Sequence, residues 1–551
     1  MKQAVFTFVF LITSILTQAQ WSVDPANPTI VCDAANTQST VYALHDGSGG
    51  YYVFWRDDRS ATTATEIYGQ RYDANGTALW QTNGRLIFAQ PNRDINHFHV
   101  IRNFQGNLFF AVSQGLTNSG DTIVVIKTDS AGNALWSQPT LVAGRTTGVI
   151  YTSQVMLMEK DTGVYVGYFL IHTGGSQRIY MNRVDDNGNR LWAFNGILVP
   201  NSGYGGFGMY PDGFGGLYIY WRQTNGAGTG LGVRRMTENG TFLWASNVNP
   251  ASGTPGLGYA YSVIPDDNYG LIFTWVEQIG ASIKMARIDS SGALVWNPGV
   301  LPVCVASSGQ DRCTIMKNGN YFYVAWLDNR PPANNSDVYM QRFDMNGIPQ
   351  WTVDGIRCTS VNTYVPNTRL SPGSNGSVIC TVDGNLAAGG FVTQKLNPDS
   401  TFAWGAAGVK IANHTFNPSG TDYAMLTPPD SGAVVFWASG GNIYTARVNS
   451  NGSMTGINNV SEQSNVMLYP NPANDKIILR FTDIPENSKA EIKILNAVGS
   501  VVSNLEVNDL SDEMRLNTTS YNEGLYFINV VLTTQQNVVS SSTRKFIVNH
   551  K

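Results

Sequence analysis

Short apolar runs alternate with glycine-rich and polar connections along most of the chain. After Trp80 this pattern predicts strands over Gly84–Ala89, Ile95–Arg102, Asn107–Ser113 and Thr122–Thr128. Runs of about four to eight residues rich in Val, Ile, Tyr and Phe, bounded by Gly, Asn and Asp, are typical of β-strands. The chain is therefore predicted to consist of many short strands joined by tight turns.

One phrase recurs along the chain: a basic residue, an apolar residue, a polar turn that usually contains Gly, and then Trp. Its copies are RYDANGTALW ending at Trp80, KTDSAGNALW at Trp136, RVDDNGNRLW at Trp192, RMTENGTFLW at Trp244, RIDSSGALVW at Trp296, RFDMNGIPQW at Trp351 and KLNPDSTFAW at Trp404. Successive copies lie 52 to 56 residues apart. A last copy, RVNSNGSMTG, has Gly456 where Trp is expected.

A second phrase, Gly followed by a short apolar strand that often ends in Trp, lies within each period. Its Trp copies are Trp55, Trp221, Trp275, Trp326 and Trp437. With Trp21, the two phrases account for all 13 tryptophans. Tryptophans gathered for catalysis or ligand stacking would not follow a period, so these residues indicate architecture.

Four strands per period, repeated along the chain, predict an all-β fold of the β-propeller class. Eight four-stranded blades are predicted, with seven as the alternative count. Trp21 precedes the first full period and Gly456 leaves the last Trp position empty. A terminal strand is therefore expected to complete the final blade, and the Trp side chains are expected to fill the space between blades.

Composition supports this class: 42% of the residues are hydrophobic, 13% are charged and 56 are Gly. A formal net charge of −4 gives no basic surface for nucleic acid. At the N-terminus, Lys2, the apolar run Ala4–Leu16 and the small residue Ala19 predict a signal peptide over residues 1–19. That run is too short to span a bilayer comfortably and no second candidate follows, so a secreted protein without a transmembrane segment in its mature chain is expected.

The repeat ends near residue 457, a polar linker covers residues 458–465, and about seven short strands follow over residues 466–551. This number of strands in about 85 residues predicts a small immunoglobulin-like β-sandwich. Its characteristic residues are Tyr469, Pro470, Asn471, Pro472 and Ala473, a hairpin that ends at Gly499, the segment from Gly524 through Tyr526, and a terminal strand that contains Lys545.

These residues, in this order and at this distance from the chain end, resemble the type A C-terminal sorting domain of the type IX secretion system of Bacteroidetes. The resemblance implies that the machinery of this system is a partner of residues 466–551. It also implies passage through the outer membrane, followed by attachment of residues 20–457 to the cell surface or by their release. A generic sandwich used for binding is the alternative.

Residues 22–457 resemble the repeats of secreted bacterial propellers. The turn that ends in Trp is also similar to the docking repeats of quinone-dependent dehydrogenases and of outer-membrane assembly scaffolds. Those dehydrogenases carry adjacent cysteines, whereas the five cysteines here are separate, so no cofactor is expected. For Cys304 and Cys313 a disulfide and free thiols both remain open.

Two blades carry the pattern W-x-D-x-R, which places Asp57 and Arg59 after Trp55, and Asp328 and Arg330 after Trp326. These charged residues are candidates for a ligand-binding face. Their recurrence in two blades favours the alternative, an ion pair that stabilises a turn. If a ligand binds here, the variable segments 60–66 and 329–337 are where its contacts are expected, because binding residues commonly lie on loops over a rigid scaffold.

His97 and His99 alternate on one predicted strand and therefore point to one face, but no third metal ligand is evident, and no metal is expected. The sequence has no nucleophile elbow, zinc-protease helix or phosphate-binding loop. The leading hypothesis is a non-enzymatic adhesion module for a glycan or protein. The alternative is a secreted enzyme that degrades polysaccharide or peptide at the propeller axis.

Overall fold

The structure is a computed structural model. It describes residues 21–60, 64–115, 122–146, 149–203, 205–225, 228–251, 257–277, 281–330, 337–358, 367–383, 390–413, 423–454, 466–481, 488–496, 501–508, 510, 513–533 and 538–550. The chain forms two compact units, Met1–Gly456 and Ile457–Lys551. No helix in the described ranges is long and apolar enough to cross a membrane.

The described residues of the first unit form eight antiparallel sheets, which we number as blades 1 to 8. Blade 1 consists of β2 (Gln38–His45), β3 (Tyr51–Asp57), β4 (Glu66–Tyr72) and β5 (Arg85–Phe88). Blade 2 consists of β6 (Asp94–Arg102), β7 (Leu108–Gly115), β8 (Thr122–Thr128) and β9 (Thr140–Gly144). Blade 3 consists of β10 (Val149–Lys160), β11 (Gly163–His172), β12 (Gln177–Asp185) and β13 (Ile197–Leu198).

Blade 4 consists of β14 (Phe207–Pro211), β15 (Leu217–Asn225) and β16 (Gly228–Met236). Blade 5 consists of β17 (Leu257–Pro265), β18 (Leu271–Glu277), β19 (Ile283–Ile288) and β20 (Val300–Pro302). Blade 6 consists of β21 (Gln310–Asn318), β22 (Tyr321–Asp328), β23 (Asp337–Asp344) and β24 (Ile356–Arg357). The strands of blades 7 and 8 are β25 (Asn367–Pro372), β26 (Val378–Asp383), β27 (Phe391–Leu396), β28 (Val409–Ala412); and β29 (Tyr423–Leu426), β30 (Ala433–Ser439), β31 (Asn442–Val448) with β1 (Thr29–Cys32). A 3₁₀ turn, Ser374–Gly376, joins β25 to β26.

The second strand of a blade is apolar on both faces because each blade packs between two neighbours. β7 and β18 are buried along their whole length. Each of eight hydrophobic clusters joins two consecutive blades, and the cluster that contains Tyr51 and Trp55 of blade 1 with Val434 and Phe436 of blade 8 completes the circle. The predicted eight-bladed propeller is confirmed.

The N-terminal segment closes the ring, as the empty Trp position at Gly456 predicted. β1 pairs with β31 and supplies the outer strand of blade 8, with Thr29 opposite Thr445. The Asn413 N–H of blade 7 donates to the Pro25 carbonyl oxygen at 2.9 Å. Blade 8 is therefore built from both ends of the propeller sequence.

Two details differ from the simplest form of the repeat. The period places the predicted strand Gly84–Ala89 with the three strands that follow it, but β5 pairs with β4 and so belongs to blade 1. Blade 4 has three strands in the described ranges, and an isolated bridge between Val233 and Val248 occupies the place of its outer strand. A period of the sequence is therefore offset from a blade by one strand.

The tryptophans of the two phrases have separate places. Those that end the second strand are completely buried within their inter-blade clusters: Trp55, Trp221, Trp275, Trp326 and Trp437. Four of those that follow the turn reach the next blade, where the indole N–H donates to a turn carbonyl oxygen: Trp136 to Asp186, Trp296 to Met345, Trp351 to Pro398 and Trp404 to Ser450, at 2.8 to 3.1 Å. Trp21 makes the same bond to Asn75 at 3.0 Å.

The Gly of the turn packs against the Trp of the preceding blade in several joints. Gly76 has a φ of +86°, and a Cβ built on it would overlap the Trp21 indole. A Cβ on Gly452 (φ +87°) would lie 2.7 Å from Cδ1 of Trp404. At these two turns Gly combines left-handed backbone with this close approach, whereas the turn of blade 7 has Ser400 at φ 72° in the same position.

The basic residue that opens the phrase also reaches the neighbouring turn. Arg287 donates to the Met345 carbonyl oxygen at 2.9 Å, and Arg447 of blade 8 donates to that of Ala74 in blade 1 at the same distance. The phrase thus encodes a contact between blades, in which the basic residue and the Trp of one blade donate hydrogen bonds to the turn of the next.

The second unit contains two antiparallel sheets in its described residues. One is β32 (Val466–Tyr469), β33 (Lys476–Phe481) and β36 (Glu513–Asn517), and the other is β35 (Val501–Val507), β34 (Lys489–Asn496), β37 (Gly524–Thr533) and β38 (Val538–Val548), in spatial order. Alternate residues of both sheets, such as Ile477, Ile492 and Phe546, form one buried core. The predicted sandwich is confirmed.

Candidate functional site

The first W-x-D-x-R pattern ends β3 in blade 1. The Asp57 carboxylate is fully buried and accepts hydrogen bonds from the Trp55 indole N–H at 2.7 Å and from two nitrogens of Arg59 at 2.6 and 2.9 Å. Arg59 also donates to the Asn83 carbonyl oxygen at 2.7 Å, and its guanidinium lies 3.7 Å from the centre of the Tyr68 ring. The ion pair therefore connects β3 with the start of the outer strand.

Blade 6 repeats this arrangement at the end of β22. Asp328 accepts from the Trp326 indole N–H at 2.9 Å and from Arg330 at 2.6 Å, while Arg330 also donates to the Asp354 carbonyl oxygen at 3.1 Å. The guanidinium lies 4.0 Å from the centre of the Tyr339 ring. Burial alone would raise the pKa of Asp328, but the bonds from Arg330 and neighbouring donors hold it below its usual value.

In both blades the carboxylate is inaccessible and the arginine side chain keeps only about a fifth of its surface exposed, 20% for Arg59 and 19% for Arg330. These contacts are those of a turn-stabilising ion pair. The idea that the two pairs also face a ligand stays a prediction. Of the loops in which ligand contacts are expected, residues 61–63 and 331–336 lie outside the described part of the chain.

The first strands of neighbouring blades contact each other and form the inner wall of the ring. The Leu157 N–H of β10 donates to Nδ1 of His99 in β6 at 3.2 Å, and the Ile315 N–H of β21 donates to the Ser262 hydroxyl in β17 at 3.3 Å. Side chains of this wall are mainly apolar or hydroxylated, with Arg369 of β25 an exposed cation.

His97 and His99 both lie on β6. The hydrogen bond from the Leu157 N–H requires Nδ1 of His99 to be unprotonated, because only an unprotonated ring nitrogen can accept it. Burial lowers the pKa of His99 to about 4. Among the described residues, no three side chains of His, Cys, Asp or Glu are grouped closely enough to hold a metal ion.

All five cysteines are buried free thiols. Of the two alternatives for Cys304 and Cys313, the structure therefore has free thiols and no disulfide. Burial raises the pKa of both thiols to about 12. They are therefore protonated and unreactive at neutral pH.

Five-residue turns join the first and second strands of blades 1, 4 and 5, and they share one hydrogen-bond pattern: Asp46–Gly50, Asp212–Gly216 and Asp266–Gly270. In each turn the Asp carboxylate accepts the N–H groups of the third and fifth residues. The second and fourth residues have positive φ, and they are Gly in blades 1 and 4.

Blade 5 replaces both glycines, with Asp267 at φ 57° and Tyr269 at φ 62°. The Tyr269 ring is 52% exposed and lies 4.6 Å, centre to centre, from the Phe214 ring of the blade 4 turn, which is 61% exposed. Sequence reasoning missed this pair. The signal that could have found it is the loss of Gly from a turn that otherwise repeats.

In the second unit, the segment around Asn471 is bound to the terminal strand. The Asn471 side chain accepts from the Ile547 N–H at 2.9 Å and donates to the Lys545 carbonyl oxygen at 3.2 Å. The Ala473 N–H donates to the Ile547 carbonyl oxygen at 2.7 Å, and the Tyr469 hydroxyl donates to Glu513 at 2.8 Å. Asn471 and Ala473 thus lie beside the terminal strand that contains Lys545. The peptide bonds before Pro470 and Pro472 are cis.

The remaining predicted sorting residues have different places. Tyr526 belongs to the buried core, where its ring packs 5.5 Å from that of Phe546, and its hydroxyl donates to the Asn522 carbonyl oxygen at 2.9 Å. Gly524 opens β37 with a φ of +148°. Gly499 lies outside the described residues. The exposed backbone near Asn471 and the buried Tyr526 ring are therefore separate parts of one small domain.

Comparison with known proteins gives one family match. Residues 467–549 match the model of the secretion system C-terminal sorting domain. None of the curated proteins matches the sequence. Similar solved structures include a GH43_1 enzyme from Xanthomonas citri complexed with xylose, at 12% identity and TM-score 0.25 over 47% of this chain and 92% of that one. Another is prolyl oligopeptidase B from Galerina marginata, at 12% identity and TM-score 0.40 over 76% of this chain and 56% of that one.

Proposed function

We propose that this chain is exported through the type IX secretion system and works outside the cell as a binding module. The match of residues 467–549 to the sorting domain is the observation that carries the proposal. In this proposal the second unit is recognised by the export machinery, and the propeller, called the passenger below, is the part that acts outside the cell. In this proposal residues 1–19 direct the first step of export, and the passenger is then attached to the cell surface or released.

The proposed role of the passenger is adhesion to an extracellular glycan or protein. Eight blades locked by buried aromatic side chains make a rigid scaffold, and rigid scaffolds commonly present binding residues on their connecting turns. A net charge of −4 supports a partner other than nucleic acid. The fold alone does not define the activity, since propellers serve many unrelated functions.

The export route is tested by producing the full chain and a chain that ends at Gly456 in a host that carries the type IX system. The full chain is expected in the medium or on the cell surface, and the shortened chain in the periplasm. A carrier protein placed between residues 1–19 and residues 457–551 is the matched control and is expected to leave the cell. Equal export of the shortened chain would contradict the proposal.

The binding role is tested with the purified protein on immobilised polysaccharides and on immobilised extracellular proteins, together with an assay for released sugars and peptides. Retention without any released product is expected. Catalytic turnover of a polysaccharide or peptide would show that the passenger is an enzyme and would overturn the adhesion proposal.

A further inference from the structure

Phe214 and Tyr269 form an exposed pair of rings contributed by the turns of two adjacent blades. Neighbouring groups contact the pair from below. The Arg235 guanidinium lies 4.8 Å from the centre of the Phe214 ring, and a Cβ built on Gly213 would lie 2.7 Å from Cε1 of Tyr269. The Tyr269 carbonyl oxygen also accepts the Tyr218 hydroxyl at 2.6 Å. Both rings therefore keep contacts with their own turns although they face solvent.

Tyr269 occupies a backbone position that disfavours it. The equivalent residues of blades 1 and 4 are Gly49 and Gly215, at φ 92° and 85°, whereas Tyr269 has φ 62°. A bulky residue in this region of backbone conformation is strained. Because Tyr269 remains 52% exposed, burial of its ring offsets little of that strain energy. Backbone strain that the fold does not need points to a functional role.

Two ion pairs flank the rings. Lys160 pairs with Glu238 at 3.4 Å on the side of Phe214, and Lys317 pairs with Asp267 on the side of Tyr269. The carboxylates keep much of their surface exposed, 49% for Glu238 and 68% for Asp267. Lys160 also pairs with Asp161 at 3.4 Å. The rim therefore offers donors and acceptors for hydrogen bonds, with two ammonium groups against three carboxylates.

We propose that this aromatic platform, the exposed surface of Phe214 and Tyr269 whose rings are tilted by 38° to each other, binds a sugar ring of a neutral polysaccharide. The inference rests on the proposed binding function and names its ligand class. A pyranose has an apolar face of C–H groups, which packs on aromatic rings, and an edge of hydroxyls, which the carboxylates and ammonium groups of the rim hydrogen-bond. A polyanion would meet the Glu238 and Asp267 carboxylates, and a polycation would meet the two lysines.

The test is affinity electrophoresis of the purified protein in gels that contain β-glucan, xylan, mannan or starch. The variant Tyr269→Gly restores the residue that blades 1 and 4 carry at this turn position, so its melting temperature is expected to stay unchanged or rise. The variant Phe214→Ala removes the other ring. Phe104→Ala is the matched control, because Phe104 is a 67% exposed aromatic residue in the corresponding turn of blade 2.

The parent protein and Phe104→Ala are expected to be retarded by at least one polysaccharide. Tyr269→Gly and Phe214→Ala are expected to bind it at least about tenfold more weakly, as loss of a stacking ring commonly causes. Retardation that survives in both variants would overturn the platform and leave the binding module intact. A parent protein that passes every gel freely would also overturn the platform, and adhesion to immobilised proteins would then decide the proposed function separately.

Discussion

The indole N–H of Trp21 donates to the carbonyl oxygen of Asn75 at 3.0 Å, across the joint between the last and first blades. Trp296 and Trp351 make the same bond to the turns of their next blades. Trp21 therefore supplies the contact that blade 8 lacks because Gly456 stands at its Trp position. The side chain is 2% exposed and packs with Tyr72 and Phe436 in the closing cluster.

Replacing Trp21 should consequently weaken the closed ring. We expect Trp21→Ala to lower the free energy of unfolding by about 3–5 kcal/mol, the range for a buried Trp, and Trp21→Phe to cost less because it keeps an aromatic ring. Urea unfolding followed by tryptophan fluorescence measures both changes. Val23→Ala, at a 47% exposed residue of the same segment, is the control and should be nearly neutral. An unchanged midpoint for Trp21→Ala would mean that this segment does not close the ring.

A Cβ at Gly76 should disturb the same joint. Both Gly76 (φ +86°) and Gly405 (φ +75°) have left-handed backbone, but a Cβ on Gly76 would overlap Trp21, whereas a Cβ on Gly405 would meet nothing within 4 Å. Gly405→Ala is therefore expected to cost about 1–2 kcal/mol from backbone strain alone, and Gly76→Ala about 1–3 kcal/mol more. Equal losses of stability in urea titrations of the two variants would contradict the Trp–Gly contact as the reason for the turn Gly.

The architecture could be predicted because a repeat copies its contacts along with its residues. The Trp, the Gly and the basic residue of the repeat take part in joints between blades, as at Trp21 with Gly76 and at Arg287 with Met345. Their spacing therefore already indicated blades, and the mismatch between Trp21 and Gly456 indicated closure. The strand Gly84–Ala89 was assigned to the wrong sheet because spacing along the chain does not tell which neighbour a strand pairs with.

The aromatic pair could not be predicted in this way. Phe214 and Tyr269 come from different blades and from different positions of their turns, so no single period relates them. In the second unit, the bond between Asn471 and Ile547 joins residues 76 positions apart. Such contacts form only in the folded chain. The sequence signals only the contact of Tyr269 with Phe214, because Tyr269 replaces a Gly that the turns of other blades carry.

The W-x-D-x-R pair is expected to be structural in a stability measurement. Asp57→Ala removes the acceptor of the Trp55 indole and of Arg59, and leaving a largely buried guanidinium unpaired costs about 3 kcal/mol. The neighbouring exposed residue gives a matched control, since Asp58→Ala should change the free energy of unfolding by less than about 0.5 kcal/mol. If Asp57→Ala left stability unchanged and abolished ligand retention, the pair would instead be part of a binding face.

His99 should make the propeller less stable in mild acid. Burial lowers its pKa from about 6.5 to about 4, so between these pH values the unfolded chain binds a proton that the folded chain does not. The folded state is therefore favoured above pH 6.5, and this advantage, on the order of 3 kcal/mol, is lost as the pH falls towards 4. The acceptor role of Nδ1 towards the Leu157 N–H explains why the folded state requires the neutral ring.

The variant His99→Asn keeps an acceptor near the position of Nδ1 but does not titrate. We expect its free energy of unfolding to change less between pH 6.5 and 4 than that of the parent. The difference between the two proteins should approach about 3 kcal/mol at pH 4. Urea titrations at several pH values measure this. Carboxylates such as Asp46, whose pKa is lowered to about 2, act on both proteins at still lower pH and cancel in the comparison. Parallel pH profiles would mean that His99 is protonated without loss of its place in the inner wall.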